Sequence, residues 1–493
     1  MIVLFVISFV CFLLYYLSTK NYNYWSNRNV PHPKPVPFFG NYRKYILFSK
    51  FGPKIAQEIC QQFPNEPYVG VYYGTSPALI IKDPDIIKLV MHKDFYYFDH
   101  REVADHVHKE LLTQNMFFSG GDRWRVLRQN LTPLFSSAKI KSMFYLIENC
   151  ASNLEKVLSE DVKISEVIEI KSLLLRYTMD CIASCAFGVN TGTLEENSKD
   201  NPFIIMGQKL FDSSYYGGFK LVTRSMWPTT FYGLGFKLFD GQINTFFTDL
   251  LSNVIKDRDR NVSSRNDFVD LILNWKKKEY ISGDSIANLK SDNEKTDEKK
   301  IIEIKVDDTL VIGQCAMLFA AGFETTSSTT SHLLFELAKH REVQNQVIDE
   351  VDTYFKKSEG KLFFECINDT PYLQACLEET LRLYPVIANV TREVREDYVL
   401  PTGLRLEKGM RIHLPIFYLH RNEEYFSEPD NFRPERFLGL RFSKMPMTAA
   451  ILTILKKYRV ELADNMPRTL TFEPRTFVTQ SIGGVLLKFI PRQ

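Results

Sequence analysis

The eight cysteines are the side chains best suited to ligate a metal or to act as nucleophiles. Only Cys181 and Cys185 have the i, i+4 spacing that puts two thiols on one helix face, and no nearby histidine completes a metal site. We interpret the pair as small buried helix residues and predict no metal ligand among them. The scattered set indicates a reducing compartment. The cysteines occupy positions 11, 60, 150, 181, 185, 315, 366 and 376.

Glu379 and Arg382 place a carboxylate and a guanidinium three residues apart, on one face of a predicted helix. Most pairs with this spacing are ordinary surface ion pairs, so the pair alone assigns no function. A second charged motif, Phe432-Arg433-Pro434-Glu435-Arg436-Phe437, follows it along the chain.

A long helix is predicted to begin near Asp307 or Asp308, either of which is a suitable N-cap, and to run past His332 toward His340. It contains seven consecutive hydroxyl residues, Thr325 to Ser331. Serine and threonine side chains compete for backbone hydrogen bonds, so this run alone would favour a loop.

Five motifs, in this order, resemble those of the cytochrome P450 family, and in particular its insect microsomal members that metabolise foreign compounds. The resemblance covers nearly the whole chain. It implies one large, mainly α domain with minor β structure that binds haem. The motifs are Trp124-Arg125-Val126-Leu127-Arg128, Ala321-Gly322-Phe323-Glu324-Thr325-Thr326, Glu379-Thr380-Leu381-Arg382, Arg392 and the segment Phe432 to Phe437.

The resemblance also implies a reaction: insertion of an oxygen atom from dioxygen into a lipophilic substrate, with electrons from NADPH supplied through NADPH-cytochrome reductase. Thr325 and Glu324 would deliver protons during this reaction. Ala321 and Gly322 would let the flat haem approach the helix backbone.

Other residues of the five motifs would hold the cofactor and the fold. Trp124, Arg128 and Arg392 would contact the haem propionates, because the planar fork of arginine donates two hydrogen bonds to a carboxylate. A buried network beneath the haem would then consist of Glu379, Arg382 and Arg436.

The chain departs from the family after Phe437. The family continues there with a Phe-x-x-Gly-x-Arg-x-Cys-x-Gly loop whose thiolate binds the iron. Here only Leu438 separates Phe437 from Gly439, and no cysteine follows Cys376. The sequence from Gly439 to Met445 resembles the part of the family that follows the missing cysteine, which indicates an internal deletion.

The deletion has chemical and geometric consequences. Met445, Met447 and His420 are alternative side chains for iron, but a thioether or imidazole does not reproduce thiolate chemistry. Because an extended chain covers at most about 3.6 Å per residue, Arg436 to Gly439 bridges only about 11 Å. The next helix must therefore shift or partly unwind, and Pro446 must lie near its start. Its apolar face is Ala450, Ile451, Ile454, Leu455 and Tyr458.

Three hypotheses follow. The first is an endoplasmic-reticulum monooxygenase by descent that is inactive as written, because its ligand loop is absent. The second is a catalytically dead membrane protein that binds lipophilic molecules or titrates partners. The third is an ordinary enzyme whose sequence has lost a segment, in which case the native transcript carries an insert between the codons for Phe437 and Gly439.

The N-terminus predicts residues 1–20 as a transmembrane anchor. It is apolar from Met1 to Leu17, and the first positive charges follow the span, which puts the bulk of the chain on the cytoplasmic side. Alternating prolines predict residues 21–40 to be a stiff spacer, and 41–493 to be the catalytic-type domain. We expect an endoplasmic-reticulum membrane location.

Charge and pattern set the remaining expectations. Lys plus Arg (61) nearly balance Asp plus Glu (59), which argues against nucleic acid as a partner. A small sheet is predicted at Tyr68 to Lys82, a solvated loop at Gly283 to Lys300 and a C-terminal hairpin around Gly483-Gly484. By family analogy, the apolar and aromatic residues of 100–120 and 203–240 line the substrate route.

Overall fold

The fold is mainly helical with minor sheet, as the sequence predicted: helix accounts for 57% of the chain and strand for 11%. The computed structural model describes residues 1–195, 198–260, 267–290, 299–438 and 444–492. The helices are α1 Ile2–Thr19, α2 Arg43–Ile46, α3 Gly52–Gln62, α4 Pro84–Lys88, α5 Gly121–Leu131, α6 Ser137–Ile164, α7 Ile170–Ile182, α8 Pro202–Leu210, α9 Tyr215–Met226, α10 Pro228–Gly233, α11 Gly241–Arg260, α12 Phe268–Lys278, α13 Asp308–Lys339, α14 Arg341–Lys357, α15 Cys366–Asp369, α16 Pro371–Leu383, α17 Ile416–Leu419 and α18 Met445–Lys457.

Short strands form small sheets at the edges of the helical body. The largest sheet has the order β1-β2-β9-β6, in which β2 and β9 are parallel and the other pairs are antiparallel. The predicted sheet at Tyr68 to Lys82 is therefore confirmed as β1 and β2. The strands are β1 Tyr68–Tyr73, β2 Ser76–Ile81, β3 Val167–Glu169, β4 Tyr280–Asp284, β5 Ile301–Lys305, β6 Val390–Glu393, β7 Tyr398–Val399, β8 Arg405–Leu406, β9 Arg411–Leu414, β10 Tyr458–Leu462 and β11 Leu486–Pro491.

Helix α13 is the central element of the core. The Asp307 side chain accepts a hydrogen bond from the Leu310 N–H at 2.8 Å, so the predicted N-cap is confirmed. The first half of α13 packs with α5, α7, α11 and α12 in one apolar cluster. Its second half packs with α6, α7, α14, α16 and α18 in another. The helix thus joins the two largest parts of the core.

Helix α1 is a candidate membrane anchor, since it is apolar and almost entirely exposed. The segment after it is not a free spacer. Trp25 is fully buried, and its indole N–H donates to the Val71 carbonyl of β1 at 2.9 Å. A Cβ at Gly70 would lie 2.6 Å from the Trp25 ring, so this glycine makes room for the tryptophan. Part of residues 21–40 is therefore packed onto the domain.

Two loop expectations are wrong in part. The C-terminal hairpin does not form as predicted, although Gly483 and Gly484 both have positive φ. Strand β11 pairs instead with β10 and β3, while residues 477–480 lie outside any strand. The predicted loop from Gly283 to Lys300 begins inside β4, which pairs with β5, and its residues 291–298 lie outside the described part of the chain.

Only a short segment of sequence separates the Pro434–Phe437 turn from α18. Helix α18 begins at Met445, with Pro446 in its first turn, where a missing N–H costs no helical bond. The predicted apolar face of α18 is buried. Tyr177 on α7 donates its hydroxyl to the Pro446 carbonyl at 3.0 Å, which ties the start of α18 to the core. Gly439 to Ser443 lie outside the described residues.

Candidate active site

The hydroxyl-rich part of α13 is helical because its side chains bond back to the helix. Thr325 donates to the Ala321 carbonyl at 2.6 Å, and Thr329 donates to the Thr325 carbonyl at 2.8 Å. Thr330 and Ser331 make equivalent bonds one turn back. These bonds satisfy the hydroxyl groups without breaking the helical ladder, so the run forms no loop.

One face of α13 forms a wall of a cavity of about 390 Å³. Ala316, Ala320, Ala321 and Thr325 lie on this face at helical spacing, so three small side chains and one hydroxyl border the space together with Met317. Residues from 101–118 and 209–239 line other walls, which agrees with the expected substrate route. Further lining residues come from 42–53, Tyr73, 387–391 and 475–478.

Glu324 and Gly322 do not face this cavity. A Cβ at Gly322 would lie 2.7 Å from Ile182 of α7, so the glycine permits close packing of two helices. The Glu324 carboxylate pairs with Lys171 of α7 at 2.9 Å and accepts from the Gln480 amide at 2.8 Å. Successive residues on a helix point about 100° apart, which separates Glu324 from the wall that carries Thr325. Both residues lie outside the cavity lining, and their expected contacts with cofactor and dioxygen stay predictions.

Arg392 lies on β6 beside the cavity wall and is buried. Its Nη1 donates to the Thr391 carbonyl at 2.8 Å, while its Nε has no hydrogen-bond partner within the described ranges. Burial lowers the pKa of Arg392 to about 10, and the positive charge of nearby Arg101 adds to this effect. Arg101 lines the cavity and lies over the Phe117 ring at 4.4 Å.

The two residues before Arg101 connect α5 and β6 by hydrogen bonds. The Glu393 N–H of β6 donates to the His100 carbonyl at 2.9 Å, and the first residue of α5, Gly121, donates its N–H to the Asp99 carboxylate. The Trp124 ring packs against Phe95 with a centroid distance of 5.0 Å.

Three arginines on α5 differ in their partners. Arg128 is exposed, and its guanidinium has no hydrogen bond or ion pair with the residues that the structure describes. Arg123 donates to the Gln114 carbonyl at 3.0 Å, and Arg125 lies 3.8 Å from the Asp284 carboxylate. Arg123 and Arg125 are therefore engaged inside the protein, and Arg128 is the cation that α5 offers to a ligand or partner.

Glu379, Arg382 and Arg436 meet in one buried network. The Glu379 carboxylate accepts two hydrogen bonds from Arg382, at 2.6 and 2.8 Å, and one from Arg436 at 3.1 Å. Arg382 also donates to the carbonyls of His420 and Pro429, at 2.6 and 2.7 Å. The network thereby fastens the chain from 420 to 437 onto α16, and it supplies each buried charge with partners.

Comparison with known proteins supports this architecture. A model of the cytochrome P450 family matches residues 30–439. The chain belongs to the cytochrome P450 family. It is 32% identical over 512 residues to cytochrome P450 6B2 of Helicoverpa armigera, covering 99% of this chain and 98% of that protein. It is also 32% identical over 512 residues to cytochrome P450 6a2 of Drosophila melanogaster, with 97% of each covered.

Membership in the family makes this cytochrome P450 a monooxygenase by class, and therefore an oxidoreductase with haem as its cofactor. Haem presents two propionate carboxylates and an iron that needs an axial ligand. The residues of this chain fit the carboxylates, because Arg392 and Arg101 are adjacent cations of which one is buried with an unpartnered N–H.

The residues do not fit the axial thiolate. Within the described residues, no cysteine lines the cavity, and burial raises the pKa of the thiols of Cys315 and Cys376 well above the ordinary value. The alternative ligands do not line the cavity either. His420 is hydrogen-bonded to the Arg382 carbonyl at 3.1 Å, Met445 is buried in the core and Met447 packs against the same core cluster. We therefore derive no catalytic step through the iron from this structure.

Some cavity residues had no signal in the sequence. Glu102 lines the cavity and accepts from the Ser225 hydroxyl at 2.6 Å. Burial raises the pKa of Glu102, but the nearby His413, whose Nε2 lies 3.6 Å from the carboxylate, the charge of Arg411 and the hydrogen bond from Ser225 outweigh burial and lower it to about 2. These partners come from distant parts of the chain, so no local pattern marks them.

The Glu379 network yields a stability prediction. Glu379→Ala leaves two arginines without their buried carboxylate, so we expect the free energy of unfolding to fall by about 3 to 5 kcal/mol. Denaturant unfolding measures this loss. The matched control is Lys357→Ala, which removes an ion pair to Asp369 from a largely exposed lysine and should cost less than about 1 kcal/mol. Equal losses in the two variants would contradict the role of the network.

Glu393, next to Arg392, yields a prediction of pH dependence. Burial raises the pKa of Glu393 from its ordinary value of 4.5 to about 7, against the opposing charge of Arg411. The folded state therefore favours the protonated acid, and this stabilisation is lost as the pH rises from about 4.5 through about 7. Relative to Glu393→Gln, the wild type should lose roughly 2 kcal/mol of unfolding free energy between about pH 5 and pH 8. Parallel pH profiles of the two proteins would refute this.

Proposed function

We propose that this chain is a microsomal cytochrome P450 that takes lipophilic small molecules into the cavity beside α13, and that as written it lacks the thiolate needed to oxidise them. The observation that carries the proposal is the absence of any cysteine after Cys376 in a chain whose Glu379 network is complete. With the missing loop present, the reaction would insert oxygen from dioxygen, using electrons from NADPH through NADPH-cytochrome reductase.

Two features of the comparisons support a missing internal segment. The alignments with the Helicoverpa and Drosophila proteins are 512 residues long, which exceeds the 493 residues of this chain, so these relatives contain residues without a counterpart here. The family match also ends at residue 439, directly after Phe437 and Leu438.

The composition of the cavity supports a lipophilic ligand. Phe117, Phe118, Phe211 and Leu210 line it together with the alanines of α13. Its volume of about 390 Å³ lies in the range of small-molecule sites. By this proposal Thr325 is the hydroxyl available for proton delivery at the cavity wall.

Features of the protein surface support the proposed location and partners. Helix α1 would hold the chain in the endoplasmic-reticulum membrane, with the bulk of the chain on the cytoplasmic side. Arg128 would supply positive charge for the haem or for reductase docking, since Arg123 and Arg125 are engaged inside the protein.

Two other hypotheses remain distinguishable. A dead variant that binds lipophiles or titrates partners is favoured if the native transcript joins the codons for Phe437 to Gly439 without an insert. An ordinary enzyme with an incomplete sequence is favoured if that transcript carries a cysteine-encoding insert at the junction.

A loop graft tests the proposal directly. Insertion of the cysteine-bearing segment of the Helicoverpa relative after Phe437 should restore NADPH- and reductase-dependent oxidation of a lipophilic substrate, while the chain as written should show none. The control is the same graft with its cysteine changed to serine, which keeps the loop length and removes the thiolate. Oxidation by the unmodified chain, or equal oxidation by both grafts, would reject the proposal.

A further inference from the structure

The candidate cavity is more polar than its sequence segments predict. Ionisable side chains border it on several sides, and they carry more positive than negative charge. They are Arg101, Glu102, Lys209, Asp212, Lys220, Arg224 and Arg475.

Most of these groups have partners of their own. Arg475 forms an ion pair with Glu473 at 2.5 Å, and Lys209 lies 3.9 Å from the Asp240 carboxylate. Lys220 donates to the Leu238 carbonyl at 2.9 Å. Arg101 lies near Arg392, where the haem carboxylates would balance its charge. Arg224 is the cation of this set for which no such partner has been named.

Arg224 is only 5% exposed, and its guanidinium makes a single hydrogen bond, from Nε to the Tyr232 hydroxyl at 2.6 Å. Its terminal nitrogens have no acceptor among the residues that the structure describes, and Nη2 is fully buried. The guanidinium lies 5.2 Å above the ring of Phe118, another residue of the cavity wall. A buried guanidinium without a paired anion is energetically unfavourable.

Glu110 balances Arg224 only through Tyr232. The Tyr232 hydroxyl donates to Glu110 Oε1 at 2.8 Å, and the N–H groups of Leu238 and Phe239 donate to the same carboxylate at 3.0 and 3.1 Å. Its oxygens are thus occupied by other donors. This chain of contacts fixes the position of the Arg224 side chain and leaves its terminal N–H groups unsatisfied.

We propose that Arg224 binds the carboxylate of an amphipathic ligand, a carboxylic acid with an apolar chain that lies along the Phe118 and Phe211 walls. A carboxylate satisfies both needs of Arg224, since it supplies the missing charge and accepts from the planar fork. Ala321 and Thr325 border the same cavity, so the apolar chain extends toward α13. This inference rests on the proposed function, because it assumes that the cavity takes lipophilic ligands.

The test compares dodecanoic acid with methyl dodecanoate, which has the same chain and no charge. Equilibrium dialysis on the full chain in nanodiscs, with empty nanodiscs as the lipid background, measures both affinities without requiring a haem thiolate. We expect the wild type to bind the acid at least about 10-fold more tightly than the ester. Arg224→Met should remove this preference and retain the affinity for the ester, which also shows that the cavity has stayed folded.

Two further variants sharpen the result. Lys209→Met removes a cation of the same cavity that has its own partner, Asp240, and should keep the preference for the acid. Arg224→Lys keeps the charge without the fork and should give an intermediate preference.

Equal binding of acid and ester by the wild type, or a preference that persists in Arg224→Met, would overturn the inference and leave the proposed function intact. Failure of both ligands to bind would overturn the inference together with the lipophilic site.

Discussion

The buried carboxylate of Glu379 is the constraint on which the rest of this structure depends. It lies inside the core, where the fork of Arg382, the guanidinium of Arg436 and the backbone N–H of Arg433 donate hydrogen bonds to it. Arg382 in turn holds the carbonyls of a segment that belongs to no helix or sheet. The network therefore fixes an irregular stretch of chain up to the Pro434–Phe437 turn, immediately before the point where we propose that an internal segment is missing.

The cavity beside α13 is bordered by more cationic than anionic side chains. The positive charge of Arg101 disfavours the charge of Arg392, and within the described residues the Arg224 guanidinium has one hydrogen-bond partner, the Tyr232 hydroxyl. Such an arrangement is unfavourable without bound anions. A scaffold that keeps these cations is shaped for carboxylates, those of the cofactor at Arg392 and, by our proposal, that of a ligand at Arg224. Among the described residues, no cysteine borders the cavity to offer a thiolate to iron.

Local patterns predicted those features that depend on neighbours in sequence. Helix α13 was predictable from its N-cap Asp307, and the short sheet from the alternation of β1 and β2. The sequence could not show which way Glu324 and Gly322 point, because their partners Lys171 and Ile182 come from a distant helix. The C-terminal hairpin failed for the same kind of reason, since β11 gains more pairing from β10 and β3 than a local turn provides. The role of Arg224 could not be predicted from the sequence. Glu110 is distant from it along the chain, and no motif marks Tyr232 as its hydrogen-bond partner.

The most direct test of the account is the carbon monoxide difference spectrum of the reduced, haem-reconstituted protein with this unaltered sequence. We expect the protein to fold, with its Glu379 network and membrane helix intact, and to give no thiolate-type spectrum, because no cysteine borders the cavity among the described residues. A thiolate-type spectrum from this chain would contradict the account and would require one of the eight cysteines to reach the iron.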